Sequence, residues 1–222
     1  MPIAERDACA IIALINKQGQ ATHANIVRTI QALKHMAHRS GDINGEGDGC
    51  GITTDIPTAV WGRRLEAQGL SRHLAQSRRF FVGHLLLPQK QDSQRQGLQE
   101  QVRQIFAAQD IEILLEKEDG ARSTELGPRG RVEAPFFWQI AGLVPDATPE
   151  RARSILFGAE LALEQQVPAW STASLSVDCV VYKLRGAPDL LPRVYPELQD
   201  ENTRSVMTLG HSRYSTNTLP TV

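Results

Sequence analysis

A layered sandwich of sheets and helices, in an α/β or α+β arrangement, is the fold class that this sequence predicts. Three observations carry it. Apolar runs of strand length interleave along the chain with segments of helical periodicity. Glycine-rich stretches punctuate those segments, as turns between packed layers require. The 222 residues are enough to bury a sizeable core in one domain, or two at most.

The elements follow in order. Residues 9–15, CAIIALI, are apolar throughout with β-branched isoleucines, which predicts a short and fully buried first strand. A turn at 17–20 leads to Ile26, Val27, Ile30, Leu33 and Met36 at helical spacing. Residues 23–38 therefore read as an amphipathic helix with Thr22 as its N-cap. Residues 41–51, GDINGEGDGCG, form a glycine-rich loop, and 52–60 predict a second strand broken by Pro57. A helix is expected at 68–76 and a strong strand at 79–87. Residues 97–109 carry Leu98, Val102, Ile105 and Phe106 on one helical face, and a strand follows at 111–115. The polar stretch 119–132, with three glycines and a proline, predicts an exposed loop. A strand at 134–144, a helix at 150–165 and a strand or strand pair at 174–184 come next. The last apolar run, Ser205-Val-Met-Thr-Leu209, opens into Gly210-His-Ser-Arg-Tyr-Ser-Thr-Asn-Thr218. No internal repeat or low-complexity tract interrupts this pattern.

Composition narrows the function. Hydrophobic residues make up 41% and charged residues 22%, an ordinary globular profile. A net charge of −1 offers no electrostatic footprint for nucleic acid or an anionic membrane. The eight apolar residues from Ala8 to Ile15 fall short of the roughly 20 needed to cross a bilayer. Their mixed-charge flank and the lack of a small-residue cleavage site argue against a signal peptide. The default location is therefore cytoplasmic. Cys9, Cys50 and Cys179 are widely separated and the histidines scattered, so neither a disulfide scaffold nor a metal site is expected.

Three features invite chemistry. Cys9 reads either as a small packed hydrophobe heading a strand or, if the eight residues before it are removed, as a nucleophile. In the second case one residue carries both a thiol and a free α-amine, with a pKa of roughly 7.7–8.0. The 41–51 loop fails as a calcium site starting at Asp42, because position twelve is Thr53 rather than a bidentate Glu. It also lacks the third glycine of a dinucleotide loop, which leaves tight turning or close backbone approach, with Asn44-Gly45 as a turn. Arg213 follows an apolar strand among short hydroxyl side chains. It divides between a structural ion pair and a bidentate clamp for a carboxylate. Ser212, Ser215 and Thr216 read equally as strand-end caps.

Three stretches together resemble the class II glutamine amidotransferases, and within them the N-terminal glutaminase domain of the glutamate synthase large subunit. They are Arg6-Asp-Ala-Cys9 with its apolar run; His38-Arg39 followed by Gly47-Asp-Gly-Cys-Gly-Ile52; and His211-Ser-Arg-Tyr-Ser-Thr-Asn-Thr-Leu-Pro220. Weaker echoes lie at 81–89, 174–183 and 195–198. The resemblance implies an α+β, four-layer αββα N-terminal-nucleophile hydrolase sandwich, with residues 1–8 as a short leader and 9–222 as the amidotransferase domain. It makes Cys9 the catalytic thiolate that attacks the carboxamide of L-glutamine, with its own α-amine passing a proton to departing ammonia. It makes Arg213 the holder of the substrate α-carboxylate and Thr216 a neighbouring substrate contact. The 204 positions separating Cys9 from Arg213 favour the glutamate synthase branch.

Two mild departures are Ala10 and Cys50, which stands where the family tends to have alanine. The resemblance also sets the family's oxyanion-hole Asn-Gly and an amine-gripping acid beyond the HSRYSTNT stretch. It thus reads the domain as incomplete on its C-terminal side; a missing oxyanion donor costs about 10²–10³ in rate. No metal or cofactor is expected in this chain, with flavin mononucleotide and iron–sulfur clusters residing on other domains or subunits. The expected partners are L-glutamine and the rest of a glutamate synthase-like enzyme. The alternative is a non-catalytic module that binds glutamine or docks on a larger subunit.

Overall fold

The computed structural model describes residues 10–36, 42–43, 46–89, 91–167 and 171–212. Among them, two four-stranded antiparallel sheets and a two-stranded hairpin combine with six α-helices. The first sheet has the order β1 (Ala10–Ile15), β10 (Met207–Ser212), β4 (Cys50–Asp55), β9 (Cys179–Leu184). The second has the order β6 (Glu112–Lys117), β7 (Phe136–Leu143), β5 (Phe80–Leu87), β8 (Ser171–Ser176). Segregated sheets and helices make this the α+β class, and the arrangement fits an αββα N-terminal-nucleophile hydrolase sandwich.

Helix α1 (His23–His35) forms where its periodicity says. The Thr22 side chain accepts from the Asn25 amide, capping the first turn, and Ile26, Ile30 and Leu33 are buried on one face. That face lies on the first sheet. A Cβ on Gly210 of β10 would stand 2.8 Å from Thr29, 2.9 Å from Ile12 and 3.0 Å from Leu33, so only glycine admits the helix here. Beside it the Thr29 and Thr208 hydroxyls share a hydrogen bond of 2.6 Å.

The central strands of the second sheet, β5 and β7, are buried on both faces. Along β5, Phe80, Val82 and Leu86 join the core shared with the first sheet. Phe81, Leu85 and Leu87 pack instead against α3 (Asp92–Ala107) and α5 (Pro149–Gln166). The alternation follows directly from the period-2 geometry of a strand. Strands β8 and β9 are consecutive in the chain yet lie in different sheets, so the 174–184 pair is the crossing point between layers.

Six sequence expectations are corrected. Strand β1 is not buried throughout: it alternates, with Ile11 62% and Ile15 64% exposed, because α1 covers one face only. Met207 and Leu209, paired with Ile15 and Ala13, are exposed on the same face. Residues 58–60 do not continue a strand past Pro57 but open α2 (Thr58–Ala67), and only a 3₁₀ turn, Arg72–Gln76, remains of the helix expected at 68–76. The exposed loop expected at 119–132 contains a 3₁₀ turn, Ser123–Glu125, and α4 (Pro128–Glu133), with Leu126 and Gly130 buried. Helix α3 begins at Asp92, ahead of the expected 97. The 41–51 stretch carries β2 (Asp42–Ile43) paired with β3 (Glu46–Gly47), while Asn44-Gly45 lies outside the described residues.

Candidate functional site

Register across the first sheet aligns four strand ends. Ala10 pairs with Ser212, Ser212 with Cys50, and Cys50 with Leu184. All four residues are buried. Cys9, Arg213 and Thr216 lie outside the described residues. Ala10 and Ser212 are the covalent neighbours of the first two, and paired antiparallel Cα atoms sit about 4.5–5.5 Å apart. Ala10 and Ser212, where the described strands end, thus face each other on adjacent strands.

The opposite end of β10 is fastened from two sides. Asn25 of α1 donates from Nδ2 to the carbonyls of Ser205 (3.1 Å) and Val206 (2.9 Å). Asp55, at the end of β4, accepts from the Val206 amide at 2.7 Å, and its own amide donates to the Ser205 hydroxyl at 2.8 Å. These bonds satisfy a buried backbone and set the strand's phase. In an antiparallel pair, a one-residue slip would turn every side chain to the other face. The anchor therefore decides which way β10 presents its far end.

Beyond the aligned row, β9 continues into Arg185, which is buried and ion-paired with Glu133 at the end of α4. A small cavity of about 30 Å³ opens beside it, lined mainly by Leu86, Leu126, Phe137, Leu184 and Tyr195, with Arg185 at its wall. Cys50 sits inside the row. Burial pushes its thiol pKa well up, and the nearby Asp189 charge adds to this, so it stays protonated. A buried, protonated thiol is poorly nucleophilic. Burial also lowers the Lys183 pKa.

A second polar cluster lies deep between the sheets, and the sequence expectations did not include it. His84 on β5 engages the Val181 carbonyl from Nδ1 at 2.9 Å and meets Gln139 Nε2 from Nε2 at 2.9 Å. The carbonyl requires a proton on Nδ1, and the amide donor requires a bare Nε2. The imidazole is thus neutral, in line with burial lowering its pKa. Glu197 accepts from the Tyr182 hydroxyl, pairs with Arg64, and takes a long contact of 3.5 Å from Gln139. The rings of His84, Phe137, Tyr182 and Tyr195 meet edge to face at 4.8–5.3 Å. The three weaker echo segments, 81–89, 174–183 and 195–198, supply His84, Tyr182, Tyr195 and Glu197. They converge here although nothing in their spacing announced it.

Among the described residues, no group of three or more His, Cys, Asp or Glu side chains could hold a metal. Among them, too, no helix is long and apolar enough to cross a membrane.

The chain is also similar in sequence to known proteins. The chain is 29% identical over 227 residues to ferredoxin-dependent glutamate synthase 2, chloroplastic, of Arabidopsis thaliana, an alignment covering 98% of this chain and 14% of that protein. It is 28% identical over 231 residues to the glutamate synthase [NADPH] large chain of Bacillus subtilis (strain 168), covering 99% and 15% respectively. To the glutamate synthase [NADH] of Saccharomyces cerevisiae it is 27% identical, covering 99% of this chain and 11% of the relative. The chain thus spans about a seventh of the length of the first of these relatives. A family model, glutamine amidotransferases class-II, matches residues 9–222, and the chain belongs to that family.

Proposed function

We propose that this chain belongs to the glutaminase domain of a glutamate synthase-like enzyme, with residues 1–8 as a removable leader and 9–222 lying within the amidotransferase domain. The observation that carries the reading is the pairing of Ala10 with Ser212, which brings the attachment points of Cys9 and Arg213 side by side. The Cys9 thiolate attacks the carboxamide carbon of L-glutamine, forming a C–S bond as the C–N bond breaks. The α-amine of the same residue delivers the proton that ammonia needs to leave. Water then cleaves the thioester, releasing glutamate and restoring the thiol. Arg213 grips the α-carboxylate in a two-pronged hydrogen bond, and Thr216 adds a neighbouring contact.

Ammonia produced here feeds a synthase domain or partner, the chemistry named for the relatives above. A cytoplasmic setting goes with this reading.

The test begins with intact mass after expression. A mass lacking residues 1–8 frees the amine; a retained leader rules out the mechanism. Ammonia release from glutamine is then measured for the parent chain, Cys9→Ala and Arg213→Ala. The expected result is turnover that Cys9→Ala abolishes and Arg213→Ala weakens through KM. Turnover that survives Cys9→Ala overturns the assignment, and calorimetric glutamine binding without any turnover favours a binding module instead.

A further inference from the structure

The glycine-rich loop has an anchor that glutamine chemistry alone does not call for. Glu46, on β3, accepts hydrogen bonds from the backbone amides of Arg129 at 3.1 Å and Gly130 at 3.2 Å. Both amides belong to the first turn of α4, where helical N–H groups have no partner within the helix. The carboxylate reaches them from 83 and 84 residues away in the chain. The fit is close: a Cβ on Gly127, the residue ahead of α4, would stand 2.5 Å from the Glu46 carboxyl carbon. Next to it, a Cβ on Gly47 would lie 3.0 Å from the backbone of Gly186. The loop is therefore held between the first turn of α4 and the chain leaving β9. The ion pair of Arg185 with Glu133 ties that same helix to β9, so the anchor point is fixed to the first sheet.

Only four positions separate Glu46 from Cys50, which pairs with Ser212, the neighbour of Arg213. Four residues span at most about 14 Å even when fully extended. Loosening the loop at Glu46 thus loosens the backbone that runs directly into the row carrying the proposed site.

We propose that Glu46 is the positioning residue of the glycine loop: its carboxylate, seated on α4, sets the loop that borders the glutamine site. This rests on the glutaminase reading above. Glu46 touches no substrate in this proposal; it acts through the loop, so its loss weakens glutamine binding and leaves the chemical step nearly intact.

Steady-state ammonia release of the full chain tests it, with parent, Glu46→Ala, Glu46→Gln and Gly127→Ala compared. Losing two charge-assisted bonds predicts a KM for glutamine about tenfold higher in Glu46→Ala, with kcat within about threefold. Glu46→Gln keeps one acceptor for one amide and recovers part of the affinity, a KM about threefold above the parent. Gly127→Ala displaces the carboxylate from outside and raises KM as Glu46→Ala does, while adding nothing in the double variant. Should Glu46→Ala fail to fold, Glu46→Gln and Gly127→Ala carry the test. A KM within about twofold of the parent in these variants, or fully additive effects, overturns the role of Glu46 alone. Absence of Cys9-dependent turnover in the parent overturns the glutaminase reading, and this proposal with it.

Discussion

Replacing Glu197 by leucine is the sharpest test of how the two sheets are joined. Glu197 is buried, and its carboxylate serves the Tyr182 hydroxyl and the Arg64 guanidinium together. Leucine removes both acceptors at once. Tyr182 is fully buried, so its hydroxyl is left unsatisfied at a cost of about 1–3 kcal/mol. Arg64 keeps its position over the Trp61 ring, 4.5 Å from the centroid, but loses its counter-charge. Arg64 is half-buried, so breaking its pair with Glu197 costs less than the ~3–5 kcal/mol of a fully buried pair. The expected loss is therefore about 4 kcal/mol, which in a chain of this size lowers the thermal midpoint by about 8–16 °C. Urea unfolding followed by circular dichroism measures it. The background matters as much as the size. In a Tyr182→Phe chain no hydroxyl remains to be orphaned, so the same Glu197→Leu change should cost about 1–2 kcal/mol less. A loss below about 1 kcal/mol, or strict additivity of the two changes, refutes the shared-acceptor account.

Two further predictions concern the core. Gly210→Ala places a methyl group 2.8–3.0 Å from Thr29, Ile12 and Leu33, and should destabilise the chain by about 1–3 kcal/mol in denaturant titrations; no measurable change would mean that α1 does not sit on β10 as described. His84 supplies a pH dependence. Burial depresses its folded-state pKa below the ordinary 6.5, so the unfolded chain binds the extra proton first. Its contribution is full above pH 6.5 and is lost as pH falls from there through the folded pKa. Stability profiles between neutral pH and pH 5 should slope downward on the acid side, and His84→Gln should flatten that slope. An unchanged slope in the variant would show that His84 is not the group responsible.

How much of this was legible beforehand depends on the kind of signal. Strand β5 and helix α5 read directly, because long apolar runs and sustained 3.6-residue spacing survive any context. Helix α4 did not, being six residues of mostly polar sequence with a single buried glycine. Helix α2 was hidden behind Pro57, although Trp61 and Leu65, four apart and both buried, carry its signal, and a proline ahead of a first turn is as good a start as a stop. For β1, Ile, Ala and Leu occupy both faces, so composition could not tell a covered face from a bare one.

The sequence by itself determined the periodicities, the cap at Thr22, the family motifs and the choice of Cys9 and Arg213 as the residues to watch. Those are local properties, written in neighbouring residues and in the order of short motifs. Only the tertiary structure decided that β1 and β10 are partners in a register joining Ala10 to Ser212. It alone gathered His84, Gln139, Tyr182 and Glu197 into one buried network and seated Glu46 on α4. Pairings between residues 15 to 202 positions apart rest on packing and desolvation across the whole core, and no local pattern encodes them.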